Sequence, residues 1–215
     1  MKRLLPAVAL VAGLFGSVVG TLRAEVTAEQ VRKAIDRGVS FLSGQQHNDG
    51  SWPEMIGYPG GVSALCTLAL LNAGVEADGQ RIQKPLNYLR TIQPEKTYGV
   101  ALQTMVLARA EPDRDRELIL RNVKWLEGTQ IIEGPNKGAW TYPGRGGTNG
   151  DQSNSQFALL ALHEAERVGV SASDQTWRLN GMPGPVQFIK QSGMQFSTHT
   201  NRASSGHLPS GLPVS

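Results

Sequence analysis

The sequence predicts an all-α fold built from three helical hairpins, six long helices in all. Three observations predict it. A ten-residue pattern recurs three times, each copy is followed by a helix-length apolar stretch, and no alternating apolar run is long enough for a strand. The first copy is Arg37-Gly38-Val39-Ser40-Phe41-Leu42-Ser43-Gly44-Gln45-Gln46. The second is Lys84-Pro85-Leu86-Asn87-Tyr88-Leu89-Arg90-Thr91-Ile92-Gln93, and the third is Arg121-Asn122-Val123-Lys124-Trp125-Leu126-Glu127-Gly128-Thr129-Gln130. Each has a basic residue, an aromatic four later, a leucine next and a glutamine four after that. Periods of this size belong to arrays of helical hairpins.

Taken in order, residues 1–24 read as a secretory signal. Lys2 and Arg3 make a charged start, residues 4–19 an apolar run with Gly13 and Gly16, and small residues come next, with Ala24 the expected cleavage position and Gly20 the alternative. The run is shorter than the ~20 residues of a membrane span, so the chain is expected to be exported, periplasmic or secreted. Three of the 21 basic residues (Lys2, Arg3, Arg23) and none of the 18 acidic ones lie in this leader, so the chain without it is formally neutral. A broad basic surface for nucleic acid is not expected. The single cysteine, Cys66, excludes an internal disulfide and a Cys-rich zinc site.

The repeat domain is expected over residues 25–179. Thr27 with Gln30 forms a capping-box pattern, and Val31, Ile35, Val39 and Leu42 recur at helical spacing, so each hairpin opens with an amphipathic outer helix. A turn comes next, His47-Asn48-Asp49-Gly50-Ser51-Trp52 in the first hairpin and a longer one ending Lys137-Gly138-Ala139-Trp140 in the third. The second keeps only Tyr98-Gly99. Inner helices then span 62–73, 99–110 and 153–168, apolar nearly all round and therefore buried, with Gly74 and Gly169 stopping the first and last. A fourth outer helix starts near 173–179 and fails. Residues 180–215, rich in Ser, Gly and Pro, are expected to be a poorly ordered or truncated tail, and the chain to be the front piece of a longer protein.

The first repeat resembles the QW motif of the squalene cyclase and protein prenyltransferase superfamily. Arg37, Gly38, Phe41, Leu42, Gln46, Gly50 and Trp52 fill its fixed positions. The third copy keeps Arg121, Trp125, Leu126, Gln130, Gly138 and Trp140, with Asn122 for the early glycine. The second keeps Lys84, Tyr88, Leu89 and Gln93 and loses the Gly-x-Trp end. The resemblance implies an α/α-toroid-like arc, half a ring, and gives Gln46, Trp52, Gln93, Gln130 and Trp140 the role of a structural brace that ties one hairpin to the next.

The superfamily's best-known chemistry is missing from this segment. Instead of an Asp-x-Asp-Asp acid motif there is Asp113-Arg114-Asp115-Arg116, read as a solvated helix start whose arginines keep both carboxylates ionised. Cys66 sits in an apolar helix without zinc-ligand context, and no Cys-Gly-Glu-Gln thioester run occurs. No metal or cofactor is expected. The candidate ligand residues are Asp151, Asn154, Gln156 and His163, at the start and along one face of the third inner helix, with Asp151 also placed as a helix cap. His47 and Asp49 read as surface turn residues, and Trp52, Tyr58, Trp140 and Tyr142 as turn aromatics. The leading expectation is an exported binding or scaffold module of unknown ligand, lipid or glycan, open to self-association. The alternatives are a terpenoid or lipid cyclase or transferase lacking its acid, and a carbohydrate-binding or polysaccharide-lyase-like toroid.

Overall fold

A computed structural model describes residues 26–142 and 147–181. The leader 1–24 and the tail beyond Gly181 lie outside the described residues. Among the described residues seven helices succeed one another: α1 Ala28–Gly44, α2 Gly61–Asn72, α3 Gln80–Thr91, α4 Thr97–Ala110, α5 Arg116–Thr129, α6 Gln152–Arg167 and the short α7 Asp174–Leu179. Among the described residues the only β pairing is an isolated bridge between Trp140 and Asp151. The described residues are all-helical, and α1 to α6 fall where the sequence predicts three successive helix pairs, with α7 following. Contacts divide it into two units, Met1–Gly38 and Val39–Ser215, with the boundary inside α1.

Capping explains where the helices begin and end. The capping box forms before α1: Gln30 N donates to Thr27 Oγ1 at 3.2 Å and Thr27 N to Gln30 Oε1 at 2.9 Å. The apolar stripe of α1 is buried less than its spacing predicts. Val31 and Ile35 are exposed, and only Val39 and Leu42 of the four pack on the core. Inner helices α2 and α6 end in matching Schellman pairs, Val75 N to Leu70 O and Val170 N to Ala165 O, both 3.0 Å. The central inner helix α4 packs on α2, α5 and α6. Ten of its fourteen residues are buried, as its uniformly apolar sequence requires.

The hairpins are joined by a fastening whose parts recur. In the first, the Trp52 indole donates to Leu42 O at 2.8 Å, while the Gln46 amide donates to Gly50 O at 3.3 Å and to Arg81 O in α3 at 3.2 Å. Arg81 O is free to accept because the residue four later, Pro85, has no N–H to give it. In the third, the Trp140 indole donates to Leu126 O at 2.8 Å, and Gln130 to Gly138 O and to Thr176 O in α7, both at 3.1 Å. Gly50 (φ +94°) and Gly138 (φ +93°) let the turns touch the next outer helix. A Cβ would lie 2.3 Å from Lys84 C in one case and from Leu179 O in the other. Trp52 and Trp140, turn residues in the sequence, are thus buried in the core.

The second fastening is built differently. Gln93 is exposed and lies outside the link. Its work falls to Gln103 of α4, whose amide donates to Leu89 O at 2.5 Å and Ile92 O at 3.2 Å. The Gln103 Oε1 accepts from Asn122 Nδ2 at 2.8 Å and Arg121 Nη2 at 3.2 Å, both on α5. Leu89 O is the counterpart of Leu42 O and Leu126 O, so an amide from the inner helix replaces the missing indole. Asn122, where the first repeat has Gly38, supplies the partner.

The 113–116 string also departs from expectation. Asp115 is buried rather than solvated, because Arg90 of α3 grips it with two bonds of 2.8 and 2.9 Å and also binds Glu111. Arg114 pairs with Glu111 instead. This carboxylate is a structural anion joining α3 to the start of α5.

Candidate functional site

The four candidate residues of α6 do not gather into one site. Asp151 caps the helix: its Oδ1 accepts from Asn154 N at 2.7 Å, Ser153 Oγ at 2.7 Å and Asn154 Nδ2 at 2.9 Å. These bonds, the Asn154 backbone N–H foremost, hold its carboxyl below the usual range. Asn154 is fully buried and its Oδ1 has no partner, whereas Gln156 is exposed. His163 is buried farther along, and burial pushes its imidazole pKa down. Asp151 thus spends its carboxylate, and Asn154 its backbone and amide N–H groups, on starting α6.

The turn before α2 is equally self-contained. Ser51 Oγ and Ser51 N both donate to Asp49 Oδ1, at 2.7 and 2.9 Å, and His47 Nδ1 lies 3.0 Å from Ser51 Oγ. The serine gives its proton to the aspartate, so the imidazole is not poised to take it and the trio is not a nucleophile–base pair. Glu54 takes Val62 N at 2.9 Å and Ser63 N at 3.2 Å, satisfying the N-terminus of α2 as Asp151 satisfies that of α6. Burial foremost, then Glu54, raises the Cys66 thiol pKa, so it stays protonated. Among the described residues no group of three His, Cys, Asp or Glu side chains converges as a metal site would need.

A cleft of about 330 Å³ lies beside these capped ends, between the first turns of α2 and α4. Val62 and Leu65 of α2 form one wall, Tyr98 and Leu102 of α4 the other, and Met55, Tyr58 and Tyr142 form the rim. The Tyr98 ring centroid lies 5.9 Å from that of Tyr142 and 4.7 Å from that of Phe157 on α6, both tilted, geometries that aromatic pairs favour. Met55 and Leu65 are 64% and 52% exposed. Among the described residues the lining carries no carboxylate, ammonium, guanidinium or imidazole, and its polar side-chain groups are phenols. Chemically its described lining offers apolar contact and ring faces.

None of Asp151, Asn154, Gln156 or His163 lines this cleft. Sequence reasoning named Tyr58 and Tyr142 among the turn aromatics but missed Leu65, Tyr98 and Leu102. Their signal was present: Tyr98, Leu102 and Met105 recur at i, i+4 and i+7 on one face of a helix whose composition alone reads as buried all round.

No protein-family model matches the chain, and comparisons with curated proteins and with solved structures returned no match either. The superfamily resemblance therefore rests on the motif residues alone.

Proposed function

We propose that this chain is an exported, cyclase-like repeat protein that binds an apolar, hydrocarbon or terpenoid-like ligand on its inner helices, without transforming it. The observation that carries this reading is the cleft: about 330 Å³, walled by aliphatic side chains and tyrosine rings, with no acid, base or cation among its described lining residues. An enzyme of the cyclase type needs a dry acid in such a cavity, and the strongest acidic string, around Asp115, is committed to Arg90. A glycan site needs several hydrogen-bonding side chains around its stacking rings, and phenols alone meet that need poorly. The repeated Gln–Trp motif supports the family resemblance, and the charged leader with its apolar run supports export.

Titration with farnesol, followed by the NMR signals of Tyr58, Tyr98 and Tyr142, tests the reading. Saturable shifts of these rings are expected, and Leu65→Lys, at an exposed position, should weaken binding at least about tenfold with the circular dichroism unchanged. Absence of saturable binding, or an L65K variant that binds as before, would overturn it. Shifts produced instead by an oligosaccharide would favour the glycan alternative.

A further inference from the structure

A second cavity follows the cleft along the inner helices. Leu68 of α2, Met105 of α4 and Leu160 of α6 line a second cavity of about 130 Å³; Leu68 and Met105 come three residues after Leu65 and Leu102 of the cleft, and Leu160 three after Phe157, which packs on Tyr98. Residues three apart on a helix are neighbours on one face, so the two cavities lie one after the other along the inner-helix face. Tyr98 and Arg109, at its two ends on α4, are eleven residues apart, a rise of about 16 Å.

The chemistry changes along that length. Among the described residues the first cavity is lined by tyrosines and carries no charge; the second is closed by Asn72, Arg109, Glu164 and Arg167. Arg167 Nη1 is paired with Glu164 Oε2 at 2.5 Å. Arg109 is exposed and, among the described residues, makes no ion pair. The face thus runs from rings and aliphatic carbon at one end to a single uncommitted guanidinium at the other.

We propose that the inner-helix face takes a single-chain monoanionic amphiphile, a fatty carboxylate, with its hydrocarbon tail toward Tyr98 and its head group on Arg109. The proposal rests on the apolar-ligand reading above and adds the head group. A guanidinium binds a carboxylate through paired N–H donors. A single negative charge is preferred over a dianionic phosphate for two reasons. The second arginine is already neutralised by Glu164, and Arg109 lies in the last turn of α4, where helix carbonyls carry partial negative charge.

Calorimetric titration of the chain with dodecanoate and with dodecanol at pH 8 and low salt tests this. Dodecanoate should bind about tenfold or more tighter than dodecanol, the size of effect a charge-assisted hydrogen bond supplies. Arg109→Gln should erase that preference while leaving dodecanol binding and the helical circular dichroism unchanged. Equal binding of acid and alcohol by the unaltered chain, or a preference that survives in R109Q, overturns the head-group assignment and leaves the apolar-ligand reading standing. If neither compound binds, both fall.

Discussion

The first and third hairpins close with an indole, the second with an amide. In the outer two, a tryptophan from the turn reaches the carbonyl of the motif leucine, and a glutamine from the end of the outer helix crosses to the next one. In the middle one, Gln103 approaches the equivalent carbonyl from the inner helix and meets Asn122 and Arg121 on the far side. The backbone problem is the same in all three cases, since helix-terminal carbonyls must be satisfied away from water. The difference is that the indole solution also fills core volume, whereas the amide solution is a polar network that depends on every member being paired.

The largest effect should come from removing the indole that fills most space. Trp140→Ala should cost about 3–5 kcal/mol in urea unfolding, and Trp52→Ala a similar amount; a loss below about 1 kcal/mol for both would show that neither closes a hairpin. Gly50→Ala comes next. A left-handed backbone costs about 1–3 kcal/mol for a non-glycine residue, and the added Cβ would also clash with the α3 backbone 2.3 Å away. Gly138→Ala should cost less, because its clash is with the end of the six-residue α7, which can yield. Equal losses at the two glycines would contradict the view that α3 is the firmer partner.

At the middle fastening, Gln103→Leu should destabilise by about 1–3 kcal/mol by leaving the buried Asn122 amide without its acceptor. A double-mutant cycle with Asn122→Ala should return a coupling of about 0.5–3 kcal/mol. Additive losses would mean that the network is not a unit.

The smallest effect concerns pH. Burial lowers the His163 pKa in the folded chain, so the unfolded chain binds the proton more readily. Stability is then fullest above the unfolded value of about 6.5 and declines as pH falls through it toward the folded value. His163→Gln should flatten that part of the profile; an unchanged slope would assign it to other groups.

Much of the fold was legible because hairpin repeats write themselves twice, once as helical periodicity and once as a fixed motif. The inner helices start and stop within two residues of the apolar runs that announced them. The second fastening was not legible. Gln93 holds the motif position and is exposed, while Gln103 sits in an apolar helix, where nothing in its spacing marks it as a brace. Asp115 was misread for a related reason: its partner, Arg90, is 25 residues away, and local charge pattern favoured the neighbouring arginines. The site was legible only in part. Polar residues at the start of α6 attracted notice, but they cap the helix, and the open cleft is made of ordinary apolar residues whose exposure the sequence alone does not announce.

Side-chain amide hydrogen exchange, read by NMR, most directly tests the claim that one repeated fastening holds the hairpins and that the middle one is Gln103. The carboxamide protons of Gln103 should exchange slowly, alongside the indole protons of Trp52 and Trp140, while those of Gln93 exchange at the rate of an exposed side chain. Fast exchange at Gln103 together with protection at Gln93 would contradict the account.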